Sequence, residues 1–246
     1  MAATNRNKKC QCFVTTDHRS GVLRAVTKCQ HHVMALMREF ASEEEHYQGL
    51  GTLQHPQVYL DQWDDAFGVS QPARVENKPA TLLEIGAGCS PYVGQFLDRG
   101  YEYVPIDPSA YVSKWFQDQG VQALRTPWEE LHVTHPVSCI VAAHSVEHMP
   151  DAPYGLQKMF NTLRPGGSLF LILPNDEDLC NPDHWWFFSE QTLMQVLSRI
   201  GFETKIMTSR RYIERESFIY CHAVRPLDAT NARGPGSGPF KKLPRL

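Results

Sequence analysis

Three acids and three histidines have types and spacings that allow chemistry none of them could do alone. In TLLEIGAGCSPY, residues 81–92, Glu84 comes just before a Gly-x-Gly pair at Gly86 and Gly88. Glycine lets a backbone loop come close to a ligand, because no β-carbon stands in the way. Asp107 follows about twenty residues after the glycines, the spacing of a ribose-hydroxyl acceptor in nucleoside-binding α/β folds. The position where a dinucleotide loop needs its third glycine is Pro91. A carboxylate at Glu84 would also repel a pyrophosphate, whereas it would suit a nucleoside carrying a sulfonium and an ammonium.

The second cluster is HSVEHMP, with His144, Glu147 and His148, joined from further along the chain by His184 in PNDEDLCNPDHWWFFSEQ. Two histidines and a carboxylate this close can bind a metal or move protons. One alternative gives His144 and Glu147 backbone and cofactor contacts, since strand-end histidines often serve as polar caps. Another makes His148 or His184 a general base that removes a proton from a substrate hydroxyl or amine. Some of the four aromatics of HWWFF must fill the core under the next helix, yet four in succession cannot all point inward, so at least one or two are expected to line a pocket.

The elements that must position these residues alternate. TLLEIG, YEYVPID, VQALR, SCIVAAHS and SLFLILP have the apolar runs of buried strands. Between them PYVGQFLDRG and SAYVSKWFQDQG read as helices ended by Gly100 and Gly120, and APYGLQKMFNTLRPGG as a helix with a turn. SEQTLMQVLSRIGF reads as a helix opened by the cap Ser189, followed by ETKIMTSRRYI and SFIYCHAV as an antiparallel edge hairpin. Such alternation predicts an α/β fold: a mostly parallel sheet with helices on both faces and ligands at the carboxyl ends of its strands.

Composition bounds the rest. The chain has 246 residues, 42% of them hydrophobic, which suits one sizeable core with appendages. A net charge of −3 supplies no global basic field for nucleic acid. No apolar run has the length of a membrane span, the N-terminus lacks a secretory h-region, and the cysteine count is odd at seven, so a cytosolic protein with reduced thiols is expected. Residues 1–79 read as a helical and irregular extension and lid, with an amphipathic helix in HHVMALMREFASEEEHY and with Tyr59 and Trp63 over the pocket or simply packed. Cys10, Cys12, Cys29 and His32 could make a zinc site, against the simpler expectation of unpaired thiols. Residues 80–226 form the regular domain, and residues 227–246 a disordered basic tail.

LLEIGAGCSPY, VPIDPS, IVAAHSVEHMPD and LRPGGSLFLILP, in this order, resemble the successive motifs of class I S-adenosylmethionine-dependent methyltransferases. The resemblance implies a Rossmann-like, seven-stranded sheet whose last strand is inserted antiparallel, with S-adenosyl-L-methionine as cofactor. It also implies that Glu84, Gly86, Ala87 and Gly88 form the methionine-binding loop, and that Asp107, with Pro108 beside it, pairs with the ribose hydroxyls. Trp128 would stack on adenine, or else fill the core, and His144 would contact the cofactor. The expected activity is methyl transfer to an oxygen or nitrogen of a small-molecule acceptor such as a sugar, metabolite or natural product, with His148 and His184 as catalytic residues and none assigned to a metal. One alternative is an RNA 2′-O-methyltransferase with a metal-assisted site: HSVEH plus His184 resembles the Glu-x-x-Glu-His and distant His of small-RNA 3′-terminal enzymes, with His144 in place of the first acid. The other is a catalytically inactive S-adenosylmethionine-binding scaffold.

Overall fold

A computed structural model describes residues 13–27, 79–175, 184–213 and 216–227. The expected N-terminal helix, the Tyr59 and Trp63 lid, the cysteine cluster and nearly all of the C-terminal tail lie outside these residues.

The main sheet has six strands. These are β3 (Thr81–Ile85), β4 (Glu102–Ile106), β5 (Val137–Ala143), β6 (Leu163–Pro174), β8 (Glu203–Ile213) and β9 (Glu216–Val224), in the order β4-β3-β5-β6-β9-β8. The first four run parallel, while β9 is antiparallel to both β6 and β8. This confirms the mostly parallel sheet with an antiparallel hairpin at one edge.

The expected seventh strand, VQALR, shrinks to one parallel bridge between Leu124 and Ile106. Leu124 donates to the carbonyl of Pro105 and accepts from the backbone of Asp107. Extending that ladder toward Gln122 would require a donor at residue 105, and proline has no N–H. Among the described residues the main sheet therefore has six strands and this bridge.

Each strand alternates its burden between two apolar layers. Leu83, Ile85, Ile140, Leu169 and Leu171 face one core with α3 (Ala152–Thr162) and α4 (Glu190–Ile200). Leu82, Val141, Phe170 and Ile172 face the other with α1 (Val93–Asp98) and α2 (Ala110–Asp118). Period-two side chains on a sheet covered on both faces explain why these strands read as continuous apolar runs.

Three of the four helix starts described, those of α2, α3 and α4, carry side-chain caps, and α1 has none. Ser109 accepts from the backbone of Val112, Asp151 from that of Tyr154, and Ser189 forms a capping box with Thr192. Gly201 ends α4 in the left-handed conformation, with φ of 113°.

A second, small antiparallel sheet was not anticipated. β1 (Phe13–Thr16) and β2 (Leu23–Thr27) form a hairpin, and β2 also pairs with β7 (Trp186–Phe187). FVTT and LRAVT, rich in β-branched residues, flank the turn residues DHRSG and carried the signal. Arg19 in that turn reaches both carboxylate oxygens of Asp151, at 3.0 and 3.1 Å, and so ties the hairpin to the start of α3.

This hairpin covers most of HWWFF, and one of its four aromatics stays outside. Trp186, Phe187 and Phe188 are all buried, and only Trp185 is exposed. With the main core on one side and the hairpin on the other, both faces of the segment are covered. Arg24 of β2 lies over the Trp186 ring at 5.3 Å, and the Trp186 indole donates to the Met149 carbonyl at 2.8 Å. No helix among the described residues is long and apolar enough to cross a membrane.

Candidate active site

The loop after β3 swings over the end of β4, where Gly86 and Ala87 both donate to the Ile106 carbonyl. Gly86 has φ of 64° and Gly88 φ of 53°, conformations that cost most other residues strain. At Gly86 space is also limiting, because an added β-carbon would stand 2.5 Å from the β-carbon of Ser145. Glycine here lets the β3 loop abut the HSVEH segment, so the two clusters read from the sequence adjoin in space. Gly86→Ala is expected to cost about 2 kcal/mol of stability, from left-handed strain plus the displaced Ser145. Thermal and urea unfolding of both proteins measure it, and an unchanged midpoint would refute the close approach.

Glu84 is 2% exposed and points into the protein. One oxygen accepts from the Ser90 hydroxyl at 2.9 Å and the other from the Tyr103 hydroxyl. Burial lifts its pKa to about 7, against the pull of those two hydrogen bonds. Its visible work is to shape the loop: Ser90, held by Glu84, accepts in turn from the backbone of Tyr92 at the start of α1.

Asp107 is the acid that bridges loops. It is buried at the end of β4, and accepts from the backbone of Gly88 at 3.0 Å and of Ser109 at 2.9 Å. A carboxylate oxygen has two lone pairs, so these bonds leave acceptor capacity for ligand hydroxyls. Pro108 beside it is exposed, and Ala87 is buried in the loop.

The chemistry of this edge fits a cationic nucleoside. Glu84 to Tyr92, Asp107 to Ser109 and His144 to His148 contain two buried carboxylates at the β3 and β4 ends, a third at Glu147, and neither lysine nor arginine. Those segments themselves hold no cation for a pyrophosphate; the Arg125 guanidinium reaches only the Pro108 carbonyl, at 3.5 Å.

Trp128 takes the second of its two weighed roles. It is 3% exposed in the core beside α3, its indole donates to the Gly155 carbonyl at 3.1 Å, and the Lys158 ammonium lies 4.6 Å from its ring centre. An indole packed this way fills the core, the second of the two roles weighed for it.

At the end of β5, His144 adopts φ of 50°, the sole non-glycine residue with positive φ among those described. Such a conformation, held by the His144 N–H to the Ile172 carbonyl at 2.8 Å, marks a site where the surroundings dictate the backbone. Its ring meets Phe218 of β9 edge-on, with centroids 5.0 Å apart. Burial, then repulsion from His148 and His184, lowers its pKa to about 3. His144 is therefore a neutral imidazole.

Glu147 and His148 share the 3₁₀ turn Val146–His148. Three imidazole nitrogens surround one Glu147 oxygen: His144 Nδ1 at 3.9 Å, His148 Nε2 at 3.9 Å and His184 Nε2 at 4.0 Å. His184 is brought here by the Trp185 N–H, which donates to the Glu147 carbonyl at 2.9 Å. The sequence reading brought His144, His148 and His184 to one edge, and the structure groups them around Glu147. Ser90, Tyr103 and Phe218, which support the two clusters, were not singled out from the sequence, because only tertiary packing links them to it.

Known proteins show the same framework. The fold is shared with a 1,6-didemethyltoxoflavin N1-methyltransferase of Burkholderia thailandensis, solved with S-adenosylhomocysteine and its substrate bound (17% identity, 86% of this chain and 98% of that one, TM-score 0.53). It is shared with the glycopeptide N-methyltransferase MtfA (17%, 70% and 100%, TM-score 0.54). A third is an S-adenosylmethionine-dependent methyltransferase of Thermotoga maritima (16%, 74% and 96%, TM-score 0.58). No curated protein sequence matches the chain. A family model described as a methyltransferase domain matches residues 60–205, more than half of the chain, and with the glycine loop, its two acids and the antiparallel last strand in place, the chain belongs to the S-adenosylmethionine-dependent methyltransferases.

Proposed function

We propose that this methyltransferase moves the S-methyl group to an oxygen or nitrogen of a small-molecule acceptor. The observation that carries the proposal is the contact of two unlike clusters at one sheet edge. An acid-rich glycine loop without cations abuts, through Gly86 and Ser145, an imidazole–carboxylate group whose outer member, His148, is 42% exposed. The solved N-methyltransferases that act on didemethyltoxoflavin and a glycopeptide support a small-molecule acceptor. The absence of a global basic charge weighs against RNA.

S-adenosylmethionine supplies a methyl group already activated as a sulfonium. In this assignment the chain provides position and polarity. Gly86, Ala87 and Gly88 cradle the methionine end, and Glu84 fixes the shape of that loop. Asp107 accepts from the ribose hydroxyls, and Pro108 flanks it. His144 walls the cofactor off from β9. His148 and His184 hold the acceptor's hydroxyl or amine and assist loss of its proton as its lone pair attacks in line. Reduced thiols at Cys89, Cys139 and Cys221 are consistent with a cytosolic setting.

Asp107→Ala tests the cofactor half. A hydrogen bond to a charged group is worth about 1.5–3 kcal/mol, so loss of one should lower affinity for S-adenosylmethionine by roughly tenfold to a hundred-and-fiftyfold by calorimetry. Unchanged affinity would remove Asp107 from the ribose site. No binding of S-adenosylmethionine or S-adenosylhomocysteine by the unmodified protein would sink the proposed function itself.

A further inference from the structure

We propose that Arg19, in the turn of the β1–β2 hairpin, is a positioning residue for the acceptor side of the methyl-transfer site: it clasps the hairpin to the start of α3, so that β2 holds β7 and keeps His184 against Glu147. All three nitrogens of its guanidinium are engaged. Nη1 and Nη2 donate to Asp151 Oδ2 and Oδ1 at 3.1 and 3.0 Å, and Nε donates to Asp17 Oδ1 at 3.1 Å. A fork-to-fork pair sets angle as well as distance, which an ammonium could not do. The turn that carries Arg19 is itself braced, because the Ser20 hydroxyl donates to Asp17 Oδ2 at 2.6 Å and the Gly21 N–H to the Asp17 carbonyl at 2.7 Å. From α4, Arg199 donates to the Arg19 carbonyl. The hairpin tip is therefore anchored on both helices of that face.

The contacts close into a ring. Asp151 lies four residues after Glu147 and caps α3 through the Tyr154 N–H. On the other side β2 pairs with β7, Leu23 opposite Phe187 and Arg24 opposite Trp186. β7 has two residues, fewer than a strand usually needs, so its place depends on its partner. The ring is completed by the Trp185 N–H, which returns to the Glu147 carbonyl at 2.9 Å, with the Trp186 indole on the Met149 carbonyl beside it. Those two bonds fix the segment from the side of the turn, and the clasp fixes the strand that pairs along it.

His184 immediately precedes Trp185, so the ring decides where its imidazole stands. Its Nε2 is 4.0 Å from the Glu147 oxygen, and its ring meets that of His148 with centroids 5.0 Å apart. Groups that hold a reacting acceptor lose about a hundredfold in rate when misplaced by about 1 Å. β1 and β2 lie outside residues 60–205, the stretch that matches the methyltransferase domain. The clasp thus brings an element from outside that stretch to the acceptor side. Placing His184 at the acceptor rests on the proposed function, whereas the clasp stands on its own contacts.

The test compares the full wild-type chain with the double variant Arg19→Met, Asp151→Asn. Asparagine keeps an oxygen to cap α3, and removing both charges leaves neither one buried alone. The variant is expected to keep the wild-type circular dichroism and to bind S-adenosylmethionine within about threefold. Labelled-methyl transfer into a cell extract at saturating S-adenosylmethionine, expressed per cofactor-binding chain by calorimetry, should fall about tenfold to a hundredfold. A brace that served only stability would change the melting curve and leave that rate alone. The second readout is the ring resonances of His148 and His184 in histidine-labelled protein, assigned by their loss in His148→Ala and His184→Ala. They should shift or broaden in the double variant. Unchanged ring resonances would overturn the clasp, and shifted resonances with a rate per binding chain within threefold of wild type would overturn its part in the reaction. If the wild-type chain transfers no methyl group, the proposed function fails, and the ring resonances still decide whether Arg19 positions His184.

Discussion

His184→Ala is expected to lower the initial rate of methyl transfer by about 10²–10⁴-fold, the range that positioned proton-transfer groups contribute. Affinity for S-adenosylmethionine should stay within about threefold, because His184 belongs to the imidazole cluster rather than to the glycine loop. His148→Ala should lower the rate over the same range. Both imidazoles approach the same Glu147 oxygen, so removing both should cost little more than removing one, as expected of groups that act as a unit. The measurement is transfer of a labelled methyl group into a cell extract, followed by isolation of the labelled product. Cofactor binding is measured in parallel. A rate within threefold of wild type for both variants would remove the histidines from the reaction. A rate loss matched by an equal loss of cofactor affinity would move them to the cofactor site.

The cofactor loop and its acids were legible in the sequence for a physical reason: each residue there answers a local demand. Gly86 is required by its left-handed φ and its approach to Ser145, and Asp107 by two backbone donors within reach of a strand end. What failed to read out was decided by distant partners. Trp128 lies after β4, where a resemblance places adenine contacts, yet an indole acceptor at Gly155 and a cation at Lys158 draw it into the core. HWWFF alone did not say which of its aromatics stay outside, and with β2 over its second face only Trp185 does. VQALR has strand-like composition, but Pro105 on the neighbouring strand denies it a donor. Composition and spacing cannot report a partner that arrives from elsewhere in the chain.

Glu84→Gln is expected to remove a loss of stability that the wild-type protein suffers as pH rises. Burial first, and the nearby Asp107 charge to a lesser degree, lift the Glu84 pKa to about 7. In an unfolded chain a glutamate titrates near 4.3. Between these values the native state holds a proton that the unfolded state has released, so stability falls with rising pH. The stabilising contribution is complete below the unfolded value and is lost through the folded one. A gap of roughly two and a half units corresponds to about 3 kcal/mol. Glutamine presents a neutral group of the same shape, with an acceptor for one hydroxyl and a donor for the other. Urea unfolding of both proteins at pH 5, 6, 7 and 8 gives the difference directly, and groups that titrate alike in both, His144 among them, cancel. The variant should gain about 3 kcal/mol on wild type between pH 5 and 8; parallel curves would return Glu84 to an ordinary carboxylate. The same pair of proteins decides what Glu84 does for the cofactor. If its work is to hold Ser90 and Tyr103 in place, glutamine retains affinity for S-adenosylmethionine at pH 8, and if its charge faces the ammonium, affinity falls there while the fold becomes more stable.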